Sequence, residues 1–145
     1  MKYSKLEILI NCILPIILGV FIYLCFRPNT LNVFYWINSV GLTGTVTFLR
    51  SNLFFYQNLL PSWIVNSLPD GLWAYSFIYA INLVWKEKQY EYWFWILISC
   101  IIIILPEILQ YYKVVHGTFD VQDLIFLSLG IALSTFIISF KTKKI

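Results

Sequence analysis

Apolar residues dominate four stretches of the chain, each close to the length of a membrane-spanning helix. They cover about residues 8–26, 71–85, 92–112 and 123–140. A helix needs about 20 residues to cross a bilayer, so the second and fourth stretches are short. None of them shows the strict alternation of a barrel strand. The pattern therefore predicts four helices, and Pro15 should kink the first one without ending it.

The composition predicts that these helices lie in a membrane. The chain is 60% hydrophobic, 19% aromatic and only 12% charged, and its mean hydropathy is +0.78. A soluble domain of 145 residues needs more charge on its surface. In lipid, every backbone polar group must be satisfied internally, which helices achieve. We therefore predict an all-α membrane protein with four transmembrane helices in a single domain, residues 1–145.

The segment 28–69, between the first two predicted helices, is aromatic and weakly polar. Its residues 33–49, VFYWINSVGLTGTVTFL, carry no charge and are a candidate for a fifth crossing. Glycine, threonine, serine and asparagine lower the hydropathy of this stretch, and a fifth crossing would put the later lysine clusters on opposite faces. We predict an interfacial or re-entrant segment whose aromatic side chains lie among lipid headgroups. The fifth crossing remains the alternative.

Basic residues are distributed unevenly around the predicted helices. With the N-terminus in the cytoplasm, seven lysines fall inside and three basic residues fall outside. The seven are Lys2, Lys5, Lys86, Lys88, Lys141, Lys143 and Lys144, and the three are Arg27, Arg50 and Lys113. The positive-inside rule then predicts a multi-pass protein of the cell inner (plasma) membrane with both termini cytoplasmic. The cytoplasmic lysines also explain the net charge of +3, so nothing indicates nucleic-acid binding.

Sequence patterns for common metal and nucleophile chemistry are absent. Cys12, Cys25 and Cys100 lie within predicted helices, without metal-ligand spacing or a nearby histidine. We predict that they are small, buried apolar residues and not metal ligands. The chain also has no CxxC, HExxH, Walker or GxSxG pattern.

Polar residues concentrate in LPEILQYYKVVHGTFDVQDL, residues 105–124, at the predicted outer end of the third helix. Glu107 and Gln110 are three residues apart and therefore share one helix face. At 1.5 Å per residue, Glu107 lies about 22 Å above Tyr92, near but still below the outer interface. A carboxyl group at that depth is costly unless it faces protein or water, so we expect Glu107 to be functional or part of a polar network.

Three further acidic residues are predicted at the same side of the membrane. Asp120 and Asp123 return beside the third helix because the connection is short, and Asp70 begins the second helix. A structural explanation exists for each. SLPD, residues 67–70, fits a capping box with a proline in the first turn. Asp120 suits an N-cap, and Asp123 suits the first turn, where the helix dipole favours negative charge. Structural and functional roles both stay open for these residues.

The order of these residues resembles that in the VanZ-like family of small polytopic membrane proteins. Glu107-x-x-Gln110 is followed by a Gly-x-x-Asp turn at residues 117–120, and Asp123 then opens a final helix that contains Gly130. The family pattern is roughly E-x-x-Q, a loop with G-R, then D-x-x-D-x-x-x-N-x-x-G. The match covers about residues 105–131 and agrees with the predicted four-helix layout.

Two family positions differ in this chain. The stretch HGTFD contains no arginine, and Leu127 stands where the family has asparagine. The family takes its name from low-level resistance to the glycopeptide antibiotic teicoplanin. The resemblance thus implies a cell-envelope protein with its site at the outer hairpin, and it implies little about a reaction.

The first class of function is binding of, or action on, an envelope lipid or lipid-linked phosphate at the outer leaflet. Paired carboxylates can share a proton or hold a divalent cation that bridges a phosphate, and an arginine can contact the phosphate directly. The candidate catalytic residues are Glu107 as base or cation ligand, Asp120 and Asp123 as its partners, and Gln110 as an orienting donor. The candidate substrate contacts are Arg50, Asp70 and His116, although His116 stands alone and is also explained as a loop residue.

The second class is a non-catalytic membrane subunit. Its polar cluster would lock the helices together, and the aromatic segment 28–69 would dock a partner protein. Turnover of a lipid phosphate that depends on a divalent cation would favour the first class, and stable co-purification with a partner would favour the second.

The predicted topology can be tested with single cysteines in a background that lacks the native cysteines. We expect Thr118→Cys to react with a membrane-impermeant reagent added outside, because residues 113–122 should face outward. A reporter fused after Leu60 should likewise read as extracytoplasmic. Labelling of position 118 only from the cytoplasmic side would overturn the orientation, and a cytoplasmic reading after Leu60 would require a further crossing.

Overall fold

The computed structural model describes residues 4–57, 59–85, 87 and 89–142. This part of the chain is largely helical and contains no β-strand, which confirms the all-α prediction. The helices are α1 (Lys5–Phe26), α2 (Asn32–Ser39), α3 (Thr43–Gln57), α4 (Ser62–Asn66), α5 (Leu68–Trp85), α6 (Gln89–Tyr111) and α7 (Val121–Thr142).

Among the described residues, three helices are long and apolar enough to cross a membrane. They are α1, α6 over Glu91–Tyr111, and α7 over Val121–Phe140, and they match the first, third and fourth predicted spans. Helix α5 forms at the second predicted span but is not among the three, since Pro69, Asp70 and Asn82 interrupt its apolar sequence. Helices α2 to α4, in segment 28–69, are not among them either, so the membrane depth of that segment stays a prediction.

Helix α5 lies at the centre of the fold. It packs against α1, α4, α6 and α7, and its buried residues therefore point in several directions. Ile78, Tyr79 and Asn82 are fully buried. The amide of Asn82 donates to the Ile78 carbonyl at 2.7 Å, and its oxygen accepts a hydrogen bond from the Tyr92 hydroxyl. Surrounding helices thus satisfy polar groups that lipid would leave unpaired.

Helices α5 and α7 come into backbone contact at two glycines. A Cβ on Gly71 would lie 2.8 Å from the carbonyl oxygen of Phe126, and a Cβ on Gly130 would overlap the carbonyl oxygen of Gly71. Further along both helices, Tyr79 packs with Ile138, so the two helices run parallel. Small residues at both positions are therefore required for this contact.

Helix α1 contains a π-helical turn over Leu9–Ile13, shortly before Pro15. The helix continues to Phe26, which confirms that Pro15 does not end it. Beside the π turn, three α5 side chains donate hydrogen bonds to α1. They run from Tyr75 to Asn11 (2.6 Å), from Tyr79 to Glu7 (2.7 Å) and from Ser76 to the Cys12 carbonyl. These bonds join α1 and α5 at the end of the bundle away from the predicted acidic site.

All three cysteines are free thiols. Cys12 and Cys25 are buried, as predicted, and Cys100 is partly buried. The orientation was predicted from seven lysines. Five of them lie outside the described residues, namely Lys2, Lys86, Lys88, Lys143 and Lys144, and the side chain of Lys141 is not described. The orientation therefore stays a prediction from the sequence.

The starts of α5 and α7 differ in how they are capped. Asp120 caps α7, because its Oδ1 accepts a hydrogen bond from the Gln122 N–H at 2.8 Å, and Asp123 lies in the first turn, as predicted. The capping box predicted at the start of α5 is wrong. Ser67 Oγ is buried and has no hydrogen-bond partner in the described part of the chain. Ser67 directly follows α4 and has a helical backbone, whereas an N-cap residue is extended.

The outward faces of α1, α6 and α7 are apolar. Large hydrophobic side chains are exposed along all three helices, among them Ile17 on α1, Leu97 and Ile102 on α6, and Leu133 and Phe136 on α7. Exposed apolar surface this continuous is typical of a protein that faces lipid or a partner.

We expect Gly130→Ala to destabilise the protein by about 1–3 kcal/mol, because the added methyl group forces the α5 and α7 backbones apart. The measurement is thermal unfolding in detergent. Gly44→Ala in α3 is the matched control. A Cβ at Gly44 would have nothing within 4 Å, and alanine favours a helix more than glycine, so stability should be unchanged or higher. Wild-type stability of Gly130→Ala would contradict the contact.

Candidate functional site

A cavity of about 620 Å³ lies where one end each of α1, α5, α6 and α7 meet. We call it the acidic cavity. Its charged and amide side chains are Arg27, Asp70, Glu107, Gln110 and Asp123. Aromatic and apolar residues complete the walls, among them Tyr23, Trp73, Phe77, Ile102 and Leu127. Four of the residues singled out in the sequence therefore line one cavity, and they come from three different helices.

Helix geometry explains how the carboxylates reach this cavity. Glu107 and Gln110 lie on one face of α6, directly after Pro106. Asp70 and Asp123 lie in the first turns of α5 and α7. Because α5 and α7 run parallel, the positive ends of both helix dipoles are at this end of the bundle. They favour negative charge in the cavity.

Among the described residues that line the cavity, Arg27 is the one with a positive charge. Its Nη2 lies 3.6 Å from Asp70 Oδ2. Its Nε donates to the Val65 carbonyl at 3.2 Å, and its Nη2 also donates to the Asn66 carbonyl. The guanidinium carbon lies 5.0 Å from the centre of the Tyr23 ring. Arg27 thus joins the end of α4 to the start of α5. Its single guanidinium group shares the cavity with three carboxylates.

Two carboxylate oxygens of this site are buried without a hydrogen-bond partner among the described residues. They are Glu107 Oε2 and Asp123 Oδ1. The backbone amide of Asp120 lies near the Glu107 carboxylate, so the α6–α7 loop reaches the edge of the site. A buried acceptor without a donor costs about 1–3 kcal/mol, and more when it is charged. The arrangement suits a group that donates hydrogen bonds or carries positive charge.

The loop after α6 closes over Gln110. Gly117 has φ +147°, a conformation that favours glycine, and a Cβ there would lie 2.7 Å from Gln110 Cδ and displace the Gln110 amide. The end of α6 is a Schellman motif: the Lys113 N–H donates to the Gln110 carbonyl and the Val114 N–H to the Leu109 carbonyl. Lys113 takes the left-handed conformation that glycine usually supplies, with φ 56°.

Three predicted site residues do not line the acidic cavity. Asp120 caps α7 and reaches the site through its backbone amide, and His116 is exposed on the loop. Arg50 lines a separate cavity of about 650 Å³, and the other described residues of its lining include no acid. Its Nη1 donates to the Leu24 carbonyl at 2.8 Å, and its guanidinium lies over the Phe34 ring. Their roles in binding a ligand stay predictions.

Sequence reasoning did not select Arg27, Tyr23 or Trp73 as site residues. The position of Arg27 in the sequence does point to the site, because Arg27 directly follows the first apolar stretch and is therefore predicted at the outer side, as Asp70 is. The two aromatic residues had none, since aromatic residues are frequent throughout the chain. Leu127, at the asparagine position of the VanZ-like pattern, also lines the cavity, which is apolar at that point.

Metal ligands do not converge at this site. Among the described residues, no three His, Cys, Asp or Glu side chains come close enough together to hold a metal ion. A divalent cation here would need ligands from the bound molecule in addition to the carboxylates.

In the part of the chain that the structure describes, the fold is helical, with three helices suited to a membrane and an acidic cavity at one end of the bundle. Comparison of the chain with protein families, with curated proteins and with solved structures finds no match. The resemblance to VanZ-like proteins stays a prediction from residues 105–131.

We expect Arg27→Gln to destabilise the protein by about 1–3 kcal/mol, because it removes hydrogen bonds to α4 carbonyls and the charge that faces Asp70. Asp70→Asn should recover part of this loss when combined with Arg27→Gln, since the Asp70 carboxylate then no longer faces a position that has lost its positive charge. Unfolding of the four proteins of this double-mutant cycle measures the coupling. Arg50→Gln is the control, and Asp70→Asn should not rescue it. Additive effects of Arg27→Gln and Asp70→Asn would contradict the pairing.

Proposed function

We propose that this protein is an integral membrane protein that binds the polar headgroup of an envelope lipid, or of a lipid-linked phosphate, in the acidic cavity. The proposal places the cavity at the extracytoplasmic face of the plasma membrane. The observation that carries it is the pair of unpartnered buried oxygens, Glu107 Oε2 and Asp123 Oδ1, in a cavity that also holds Arg27.

The proposed topology has four crossings, with α5 as the second. Helix α5 has 18 residues, and at 1.5 Å per residue it is about 27 Å long. This is close to the hydrocarbon thickness of a bilayer, about 30 Å. Its enclosure by α1, α6 and α7 supports the assignment, because its polar residues meet protein and not lipid. Both termini are then cytoplasmic, and α2 to α4 form the interfacial or re-entrant segment.

The charges of the cavity indicate which parts of a headgroup bind where. Arg27 is suited to a phosphate oxygen, since guanidinium–phosphate pairs are strong and directional. Glu107 and Asp123 are suited to an ammonium or hydroxyl group, which donates hydrogen bonds to their free oxygens. For a headgroup without such donors, the same two carboxylates and the phosphate would together hold a divalent cation, as is usual for Mg²⁺.

The remaining polar side chains orient the headgroup. Gln110, held by the loop at Gly117, presents its amide to the cavity. Asp70 faces Arg27 and helps to hold its guanidinium group beside the cavity. If the protein catalyses a reaction, Glu107 is the base or cation ligand of this proposal, and Asp123 is its partner.

A second candidate function is a non-catalytic subunit that docks a partner protein through segment 28–69. Its aromatic side chains favour this alternative, since Tyr35, Trp36, Phe54 and Phe55 are all more than half exposed. The same exposure suits a membrane interface. A partner that co-purifies through this segment, with no lipid bound in the acidic cavity, would favour the subunit.

We expect Glu107→Gln and Asp123→Asn each to weaken headgroup binding at least about tenfold while the protein stays folded, because a charge-assisted bond is lost. Both variants keep side-chain volume, and the Asp120 cap of α7 is untouched. The measurement is native mass spectrometry of detergent-purified protein with phosphatidylethanolamine or undecaprenyl phosphate, each with and without Mg²⁺. Thermal unfolding of each variant reports folding.

The matched control is Glu91→Gln, the same substitution near the other end of α6. It should leave binding at the wild-type level. If wild-type protein binds neither lipid, or if both cavity variants bind as well as wild type, the headgroup site is disproved. A gain in stability without loss of binding would show that the carboxylates only pack the helices.

A further inference from the structure

An apolar groove of about 370 Å³ lies beside the acidic cavity, between α1 and α2. We call it the α1–α2 groove. Tyr23, Leu31 and Trp73 line both the groove and the acidic cavity, so the two spaces are neighbours across a shared wall. The Tyr23 and Trp73 rings of this wall stack with their centres 5.8 Å apart.

The chemistry of the lining changes across this wall. On one side are Arg27 and the carboxylates, and on the other are apolar side chains, with Asn32 as the polar exception. The groove side adds Val20, Leu24, Val33 and Trp36. The change from charged to apolar within adjoining spaces matches the boundary between the headgroup and the hydrocarbon chain of a lipid.

Gly19 explains why Trp73 can lie between the two spaces. A Cβ on Gly19 would overlap the indole Nε1 of Trp73, so the absence of a side chain lets the indole lie directly against α1. At the other wall of the groove, Trp36 is 68% exposed, which leaves the groove open toward the outside of the bundle. A hydrocarbon chain that lies in the groove can therefore extend into the surrounding lipid.

We infer that the ligand of the acidic cavity is an amphiphile whose hydrocarbon chain occupies the α1–α2 groove. The inference rests on the proposed function and adds that the same molecule fills both spaces. Because the groove is apolar, the preferred ligand is a membrane lipid and not a free, water-soluble headgroup. Its affinity should then rise with chain length, because each methylene that enters the groove leaves water or detergent for an apolar wall.

The test compares dioleoyl and dihexanoyl phosphatidylethanolamine, which share a headgroup and differ in chain length. Wild-type protein should bind the dioleoyl lipid at least about tenfold more tightly in native mass spectrometry. Val33→Trp fills the groove from α2 without touching the acidic cavity. It should reduce dioleoyl binding to about the dihexanoyl level, so that the preference for the long chain is lost.

Val40→Trp is the matched control, because Val40 is exposed at the end of α2 and lines neither space. It should bind both lipids as wild type does. Equal binding of the two lipids by wild type, or chain-length preference that survives Val33→Trp, would overturn the groove while leaving the headgroup site standing. If wild type binds neither lipid, nor undecaprenyl phosphate, the proposed function and this inference both fail.

A second readout separates the groove from general lipid contact. Phosphatidylethanolamine with a photoreactive group in its chain should cross-link to the peptide that contains Val33 and Trp36, and Glu107→Gln should remove this cross-link. Cross-links that spread evenly over α1, α6 and α7, and that Glu107→Gln does not change, would mean that the hydrocarbon chain contacts the whole lipid-facing surface and does not occupy the groove.

Discussion

The backbone contact between α5 and α7 determines where the charges of this protein lie. Gly71 and Gly130 allow the two helices to touch. Asp70 directly precedes the first glycine, and Asp123 stands seven residues, about two helical turns, before the second. Residues seven apart lie on the same side of a helix, so Asp123 faces α5 as Gly130 does. The spacing of two mutually repelling carboxylates is thus imposed by a contact between uncharged backbones.

Several features reduce the cost of grouping three carboxylates in one cavity. The N-terminal ends of two parallel helices favour their negative charge. Arg27 opposes it, and Arg27 is itself fixed by carbonyl groups at the end of α4. The short helix α4 therefore has an electrostatic role, because without its carbonyls the guanidinium would have fewer bonds that hold it beside Asp70. The α4–α5 junction and the acidic cavity form one unit.

Local pattern was enough to predict most helices and part of the site. Apolar runs located α1, α6 and α7, and short-range rules identified the Asp120 cap and the shared face of Glu107 and Gln110. Features that depend on neighbouring elements were not predictable. Ser67 resembles an N-cap in sequence, yet it follows a short helix and already has a helical backbone. The central position of α5 was not predictable either, because hydropathy measures how apolar a segment is and not which helices surround it.

The π turn of α1 has a consequence for chain length. Glu7, Asn11, Pro15 and Gly19 are each four residues apart, and on a regular α-helix each such step rotates by about 40°, or about 120° over the three steps. The wider π turn absorbs part of this drift, so Glu7 and Asn11 still meet tyrosines of α5 while Gly19 lies under Trp73. Removing one residue from Leu9–Ile13 would turn the wide turn into a regular α-helical turn, so Glu7 would keep nearly the same direction relative to Gly19. The π turn is therefore the place where α1 can lose a residue and still reach α5 at both ends.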